Sequence, residues 1–451
     1  MRCFDKGTYM NFKYQIHHLI FLLLTACSVA TTSSYAHSLE KEKKELVKLI
    51  RKHFPDCKIT DFKNEEGFKF VLEIDLLQKL DHHNPDSEKF YQKVYLYHRG
   101  RKKPNVLVTE GYAIRDNVYE PTRIFDANQI SVEFRYSGSS IQKVKDWKFL
   151  KQEQAMLDLK EIQNGFSKIY KNKWISTGIS KGGTTSILYA LTFPKNLSAV
   201  VAYVAPFALA QEDFRTIDHY RNKVSTPECR AKVFEFQKQI FNQRDELKLL
   251  IDTLATNEQV TFPLGIEKTI EYAALEYPFS FWQWGFGCGE IPDEQATARE
   301  IFEHLEETVD INLYDDKNCA YYMPAYYQNM TELGYYGFDT VGLSSYLIYE
   351  KNPSNLIFCP KDALITYDGR YMKEMNEKAL HQSHHILYVY GEMDTWTSCG
   401  ILPDKSLESA RYVKEGGNHR TRIRDFSQED KMQIYQLLHR WTHLKTRTLP
   451  F

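Results

Sequence analysis

Residues 173–207 read KWISTGISKGGTTSILYALTFPKNLSAVVAYVAPF, which is a pattern of strand, sharp turn, helix and strand. Trp174–Thr177 is a short run typical of a β-strand. Thr184–Phe193 is suited to a helix, which Pro194 would end. Ala199–Val204 is continuously apolar, as expected of a strand buried on both faces. Strands that alternate with helices predict a parallel β-sheet covered by helices.

The turn in this stretch is Gly178-Ile179-Ser180-Lys181-Gly182, a G-x-S-x-G pattern. A serine hydroxyl is a weak nucleophile until a base removes its proton, and a tight strand-to-helix turn exposes its Oγ to a substrate. Because such a turn brings the chain close to itself, Gly178 and Gly182 are needed where a Cβ would clash. We interpret Ser180 as a nucleophile, the alternative being an ordinary glycine-rich turn.

Composition and charge favour a globular protein without a nucleic-acid partner. The chain has 451 residues, and its 58 Lys and Arg against 59 Asp and Glu leave a formal charge of −1. A basic excess, the usual mark of nucleic-acid binding, is therefore missing. The length and the 43% of hydrophobic residues allow a large core.

Residues 1–36 have the features of a signal peptide. The apolar run Leu19–Leu24 follows a basic residue and is too short to span a membrane. Leu24-Thr25-Ala26-Cys27 resembles a bacterial lipoprotein signal, which would leave Cys27 lipidated and anchored to a membrane, whereas Ser34-Tyr35-Ala36 ends like an ordinary cleavage site. We expect an exported protein, either a periplasmic or cell-surface lipoprotein or a secreted chain.

The remaining cysteines of this exported chain could form disulfides or stay as buried thiols. None of them belongs to a C-x-x-C motif, which argues against a metal or redox centre. The sequence indicates neither a metal nor an organic cofactor. The cysteines concerned are Cys57, Cys229, Cys288, Cys319, Cys359 and Cys399.

The strand-and-helix pattern divides the chain into three parts after the signal. Residues 37–207 form the first part of the sheet domain and include a long helical stretch over Gln142–Tyr170. Residues 208–346 lack a clear buried strand and are interpreted as a helical cap, with aromatic-rich loops at Phe279–Gly289 and Tyr321–Gln328. Residues 347–451 complete the sheet domain. The remaining predicted elements are strands at Phe68–Leu76, Phe90–Tyr97, Val106–Val108, Ile130–Phe134, His385–Tyr390 and Ala410–Val413, and helices at Leu39–Phe54 and Gln428–Leu444.

A serine nucleophile needs a histidine base and a carboxylate that orients it. In the α/β-hydrolase arrangement the chain order is serine, acid, histidine, each after a strand. Ser180, Asp394 and His419 occur in this order, and Asp394 and His419 follow the two last predicted strands. The alternatives are that Asp394 caps a helix, that Glu392 is the acid, or that His419 is a surface histidine.

Such a site needs donors for an oxyanion and, for a substrate with a free amino group, a carboxylate. The oxyanion of the reaction needs two N–H donors, which are expected from Lys181 and from Gly111 or Tyr112 after the Val106–Val108 strand. The Lys181 side chain is expected to face solvent or its own helix. A carboxylate in the pocket would bind a substrate ammonium group; Glu133 could instead pair with Arg135 or another residue at a strand end. The candidate carboxylates are Glu110, Glu133 and Glu332.

The motifs resemble those of the secreted bacterial prolyl tripeptidyl aminopeptidases, which are serine exopeptidases of the α/β-hydrolase type. The resemblance covers most of the chain and, more distantly, extends to the Pro-Xaa carboxypeptidase and dipeptidyl peptidase II group. Phe134 and Met330 depart from that second group, which usually has His and Cys there. The motifs are Gly178–Gly183, Thr109–Tyr112, Gly391–Trp396 and Gly416–His419, and, for the distant group, Glu133–Ser140 and Tyr327–Gly334.

The resemblance implies an α/β-hydrolase fold with an inserted, mainly helical cap, and peptides as substrates. It implies release of short peptides, in the first place tripeptides ending in proline, from free N-termini through an acyl-enzyme on Ser180. The alternatives are an esterase of the same fold and a non-catalytic surface binding protein. The oligomeric state is left open. The expected aromatic slot for proline involves the region of Trp282, Trp284, Tyr326 and Tyr327.

Overall fold

One mixed β-sheet organises the residues that the structure describes, which in this computed structural model are 36–141 and 146–447. The strand order is β1-β2-β3-β5-β4-β6-β7-β8-β9. The predicted signal peptide, apart from Ala36, and the Cys27 anchor lie outside the described residues. The strands are β1 (Lys58–Asp61), β2 (Phe70–Lys79), β3 (Lys89–His98), β4 (Asn105–Thr109), β5 (Asn128–Val132), β6 (Trp174–Ile179), β7 (Ala199–Tyr203), β8 (Ile386–Gly391) and β9 (Ala410–Lys414).

The sheet has an antiparallel part and a parallel part. β1, β2 and β3 run antiparallel to their neighbours, and β3 pairs antiparallel with β5. From β5 to β9 every pairing is parallel. The carboxyl ends of β4, β6, β8 and β9 therefore lie along one edge of the sheet, where loops from distant parts of the sequence meet.

Helices cover both faces of the sheet. Successive side chains of a central strand point to opposite faces, so a continuously apolar strand makes both faces apolar. On β4, Leu107 packs with one group of helices, whereas Val106 and Val108 pack with another. The first group is α1 (36–53), α3 (Gln152–Ser167), α4 (Lys181–Thr192) and α11 (Arg370–His381); the second is α2 (Glu120–Ile124) and α12 (Gln428–Thr442). None of the helices that the structure describes has the length and apolar character needed to cross a membrane.

The segment between β7 and β8 forms a helical insertion with its own apolar core. Cys229 and Cys288 form a disulfide within this insertion, while Cys57, Cys319, Cys359 and Cys399 are free. The predicted α/β-hydrolase fold with an inserted helical cap is confirmed, and the domain boundaries at 207/208 and 346/347 stay predictions. The helices are α5 (Arg215–Asp218), α6 (Pro227–Asn242), α7 (Arg244–Glu258), α8 (Ile266–Trp284), α9 (Ala298–Thr308) and α10 (Asp316–Gln328).

Three predicted elements differ from the structure. Phe279–Trp284, predicted as part of a loop, is the end of α8, and Tyr321–Gln328 lies in α10. Both helices contain an internal proline, Pro278 or Pro324, which sequence reasoning takes as a helix breaker but which tertiary packing tolerates here. The helix predicted from Gln142 begins only at Gln152, after a 3₁₀ turn at Trp147–Phe149, and 142–145 lie outside the described residues.

Candidate active site

Ser180 occupies a strained turn between β6 and α4. Its backbone dihedral angles are φ 57° and ψ −128°, a conformation that side chains rarely adopt outside functional sites. The Ser180 N–H donates a hydrogen bond of 2.9 Å to the Tyr203 carbonyl. A Cβ at Gly178 would lie 2.2 Å from the Gly182 carbonyl oxygen, and one at Gly182 would lie 2.5 Å from the Thr109 oxygen. Glycine is therefore required at both positions.

Asp394 and His419 form a buried pair at the same edge of the sheet. The two side chains approach to 2.7 Å between Asp394 Oδ2 and His419 Nδ1, and they are 0% and 6% exposed, respectively. Asp394 also caps a 3₁₀ turn by accepting a hydrogen bond from the Trp396 N–H. Glu392 instead accepts a hydrogen bond from the Gly416 N–H. This arrangement can hold the imidazole in one tautomer and stabilise its cation.

The loop that carries His419 is held by the end of α8. The His419 N–H donates to the Gln283 carbonyl at 2.9 Å, and Asn418 Nδ2 donates to the Trp284 carbonyl at 2.9 Å. The Trp284 ring stands edge-on to the imidazole, with 5.7 Å between ring centroids. The helical insertion therefore helps to position the residue that sequence reasoning assigns as the base.

A cavity of about 410 Å³ opens beside Ser180. Its walls come from the sheet edge, including Ser180 and Arg420, and from the insertion, including Trp284 and Tyr326. Both aromatic and polar side chains line it, which is typical of a site for a small molecule or a short peptide. Among the residues that the structure describes, no cluster of His, Cys, Asp and Glu could hold a metal ion.

The loop after β4 lies against the start of α4. A Cβ at Gly111 would lie 2.6 Å from the Lys181 Cβ, so the two segments are in direct contact. Within the described ranges, neither the Lys181 N–H nor the Tyr112 N–H donates a hydrogen bond to a protein acceptor. Two free N–H groups next to a serine hydroxyl can serve an oxyanion. Their assignment as its donors stays a prediction.

The Lys181 side chain does not face solvent or its own helix as expected. It is 6% exposed, and its Nζ donates a hydrogen bond of 2.8 Å to the Gly111 carbonyl. Burial lowers the pKa of this amine to about 7, and the Glu332 carboxylate partly opposes this effect. The expectation failed because the approach of the Gly111 loop buries this first residue of α4.

The three carboxylates proposed for a substrate ammonium lie outside the cavity lining. Glu110 accepts a hydrogen bond from Tyr119 and Glu332 one from the Gln152 N–H, and burial raises the pKa of both carboxyls. Glu133 accepts hydrogen bonds from Ile114, Ser139 and Ser140 at 2.8–2.9 Å. Arg135, its alternative partner, binds Asp158 at 2.7 Å.

Glu276 lines the cavity, and sequence reasoning missed it. This α8 residue is 4% exposed and accepts hydrogen bonds from Ser280 Oγ at 2.9 Å and from the Tyr336 hydroxyl at 2.6 Å. Burial raises the pKa of its carboxyl to about 7, and the two hydroxyl donors partly oppose this effect. A signal was available, because Glu276 is the only charged residue in the mainly apolar and aromatic run Tyr272–Trp282.

The aromatic residues predicted for a proline slot separate into two groups. Trp284 and Tyr326 line the cavity. Trp282 is fully buried against Phe281, and Tyr327 packs against Trp147 with 5.2 Å between ring centroids. Neighbouring residues of a helix face different directions, which explains why only one member of each pair reaches the cavity.

Sequence comparisons relate the chain to a family of peptidases. The model of the PS-10 peptidase S37 family matches residues 44–445. The prolyl tri/tetrapeptidyl aminopeptidase of Streptomyces mobaraensis is 26% identical over 429 residues, which cover 93% of this chain and 90% of that protein. The predicted resemblance is therefore confirmed.

Solved structures show more remote likenesses. A proline iminopeptidase of Mycobacterium smegmatis has a TM-score of 0.38 at 13% identity, covering 81% of this chain and 99% of that one. An alpha/beta fold family hydrolase of Bacillus anthracis has a TM-score of 0.31 at 14% identity, covering 78% and 95%. The family assignment rests on the match over residues 44–445. The chain belongs to the PS-10 peptidase S37 family and is a serine peptidase.

Proposed function

We propose that this serine peptidase releases short peptides, in the first place tripeptides, from the free N-termini of its substrates, with proline favoured before the cleaved bond. This proposal rests on one observation: the buried carboxylate of Glu276 lines the same cavity as Ser180. An endopeptidase or an esterase has no need of a carboxylate that binds an ammonium group.

Glu276 lacks the partner that a buried carboxylate ordinarily has. Its hydrogen-bond donors are two neutral hydroxyls, and no lysine, arginine or histidine of the described ranges lies within ion-pair distance. Burying an ionised carboxylate without a counter-charge is costly, and a cation that enters the cavity removes that cost. The protonated N-terminus of a peptide is such a cation.

The position of Glu276 relative to Ser180 would determine the length of the product. The N-terminal ammonium is held by the carboxylate and the scissile carbonyl by Ser180, so only a fixed number of residues fits between them. Glu307 and Asp310 also line the cavity and are the competing candidates for this anchor. Glu276 is the stronger candidate because it is buried, whereas Glu307 and Asp310 are exposed.

The proposed reaction proceeds through an acyl-enzyme. His419 removes the proton from Ser180 Oγ, which attacks the substrate carbonyl carbon, while Asp394 orients the imidazole and stabilises its positive charge. The carbonyl oxygen becomes an oxyanion that accepts hydrogen bonds from the Lys181 and Tyr112 N–H groups. His419 then protonates the leaving amine as the C–N bond breaks. A water molecule, activated by His419, hydrolyses the ester and restores Ser180.

The preference for proline is supported by the aromatic walls near the reacting serine. Tyr112 and Tyr322 line the cavity with their rings 5.9 Å apart, and Trp284 stands beside His419. The apolar pyrrolidine ring of proline packs well against aromatic faces. The name of the Streptomyces relative also describes a prolyl peptidase.

We also propose that the chain is exported. The apolar run Leu19–Leu24 and the disulfide between Cys229 and Cys288 support this, because disulfides persist mainly in oxidising compartments. Mass spectrometry of the mature protein from its native host would identify the first residue. A chain that starts at a diacylated Cys27 supports the lipoprotein, one that starts at His37 supports simple secretion, and an intact Met1 contradicts export.

The experiment that tests the peptidase proposal compares fluorogenic substrates with free and acetylated N-termini. The panel contains Ala-Ala-Pro, Ala-Pro and Pro conjugates and a short-chain ester, and Ser180→Ala serves as the control. Cleavage of the free tripeptide alone, lost in Ser180→Ala, is the expected result. Equal cleavage of free and acetylated peptides contradicts the N-terminal anchor. Ester hydrolysis without peptide release contradicts the proposed substrate class.

A further inference from the structure

The buried Lys181 side chain connects the nucleophile turn with the loop after β4. Its Nζ donates a hydrogen bond to the Gly111 carbonyl at 2.8 Å. The same Nζ lies 3.6 Å from the centroid of the Phe134 ring and 5.4 Å from that of the Tyr112 ring. A cation over aromatic faces is attracted to them, so the ammonium is held at a defined place.

The Gly111 carbonyl belongs to the same peptide group as the Tyr112 N–H. In a planar trans peptide, the C=O and the N–H point in opposite directions. A bond that holds the Gly111 oxygen on one side therefore directs the Tyr112 N–H to the other. That N–H donates to no protein acceptor among the described residues, and Tyr112 lines the cavity next to Ser180.

We propose that Lys181 is a positioning residue for the oxyanion hole: its side chain holds the Gly111–Tyr112 peptide so that the Tyr112 N–H meets the Lys181 N–H at the substrate oxygen. One residue thus supplies one donor through its backbone and orients the other through its side chain. This inference rests on the proposed role of Ser180 as the nucleophile.

The surroundings suit this role. Gly111 approaches so closely that a Cβ there would lie 2.8 Å from the Gly182 nitrogen, so the loop has little freedom once the lysine bond is made. Burial lowers the pKa of the amine to about 7, but the protonated and the neutral amine both carry N–H donors. The Gly111 carbonyl therefore keeps its partner in either protonation state.

The test replaces the lysine by a side chain of similar length without a donor, Lys181→Met. Loss of a whole oxyanion donor typically lowers kcat by about 10²–10³-fold, so a misoriented donor is expected to lower it by about 10–100-fold. Because the oxyanion forms only during reaction, KM should change little. A tripeptide aldehyde, whose hemiacetal oxygen occupies the hole, should bind about 10–100-fold more weakly. The product tripeptide should bind unchanged.

Tyr189→Phe is the matched control for a merely structural effect. Tyr189 is a buried α4 residue whose hydroxyl bonds Gln163 and Asn196, away from the Gly111 loop. This variant should lower the melting temperature without changing kcat. If Lys181→Met lowers stability but not kcat, or weakens aldehyde and product equally, the proposal is overturned.

Two further measurements keep the test decisive. If Lys181→Met does not fold, Phe134→Leu serves instead, because it removes the aromatic ring beneath the Lys181 ammonium. A fall in kcat together with weaker binding of the aldehyde supports the proposal. An unchanged kcat overturns it. Fluorophosphonate labelling of the wild type and of Ser180→Ala reports on the nucleophile itself. An unlabelled wild type contradicts the proposed function, whereas a labelled wild type with a fully active Lys181→Met contradicts only the inference about Lys181.

Discussion

The Glu276 carboxylate and the Tyr336 hydroxyl form a hydrogen bond of 2.6 Å inside the cavity beside Ser180. Only the ionised carboxylate attracts an ammonium group, and burial raises the pKa of this carboxyl to about 7. Below about pH 7 the ionised fraction falls tenfold per unit, so KM for a free peptide is expected to rise by about the same factor. Initial rates at several substrate concentrations between about pH 8 and about pH 5.5 measure this rise of KM.

Glu276→Gln should raise KM for the free tripeptide by about 10–100-fold, because a hydrogen bond to a charged group contributes about 1.5–3 kcal/mol. It should also remove the rise of KM below about pH 7. Asp310→Asn, in the same cavity wall, is the control and should keep that rise. The reverse pattern, with Asp310→Asn removing the pH dependence, would place the anchor at Asp310.

Asn418→Ala should lower kcat by about fivefold, since the loss of its bond to the Trp284 carbonyl, worth about 1 kcal/mol, loosens the His419 loop. Steady-state kinetics with the free tripeptide measures this. Asn418→Asp is the informative companion, because it keeps the acceptor for the Arg420 N–H and removes only the donor. Wild-type kcat in both variants would show that the backbone bond from His419 to Gln283 suffices.

Removal of the disulfide should destabilise the insertion and, through α8, slow the enzyme. Cys229 at the start of α6 is joined to Cys288, which lies four residues beyond the end of α8. Replacing both by alanine should lower the free energy of unfolding by about 2–4 kcal/mol in urea titrations. Cys319→Ser, which removes a free thiol, is the control. Equal stability of the double variant and the wild type would contradict this prediction.

Gly178→Ala should abolish activity and destabilise the fold by about 1–3 kcal/mol, because the new Cβ meets the Gly182 carbonyl oxygen at 2.2 Å. Fluorophosphonate labelling and thermal melting measure the two effects. Gly289→Ala provides the contrast, since a Cβ there has no neighbour within 4 Å. A fully active Gly178→Ala protein would mean that the turn can rearrange without moving Ser180.

Most of the fold could be predicted because its signals are local. The apolar runs of β4, β7 and β8, the β-like run of β6 and the G-x-S-x-G turn can each be recognised within a few residues. The order of serine, acid and histidine in the chain predicts that Asp394 lies against His419, as the structure shows.

The rest depends on contacts that the sequence does not encode locally. Pro278 and Pro324 lead to the wrong prediction of loops where α8 and α10 lie, because the packing that tolerates a proline inside a helix comes from elsewhere in the chain. Likewise, the direction of the Lys181 side chain depends on its bond to the Gly111 carbonyl, in a loop 70 residues earlier in the chain. The sequence suggests Glu110, Glu133 and Glu332 by residue type and by their place near motifs, whereas the folded structure shows that Glu276 lines the cavity and these three do not.

The bond between the His419 N–H and the Gln283 carbonyl has a consequence for biosynthesis. A ribosome makes α8 before β8 and the histidine loop, so the helix end that accepts the His419 N–H is synthesised before the histidine. A chain whose sheet has formed around an unfolded insertion holds Ser180 in its turn but lacks the Gln283 and Trp284 carbonyls that hold the His419 loop. Full peptidase activity is therefore expected to require a folded insertion.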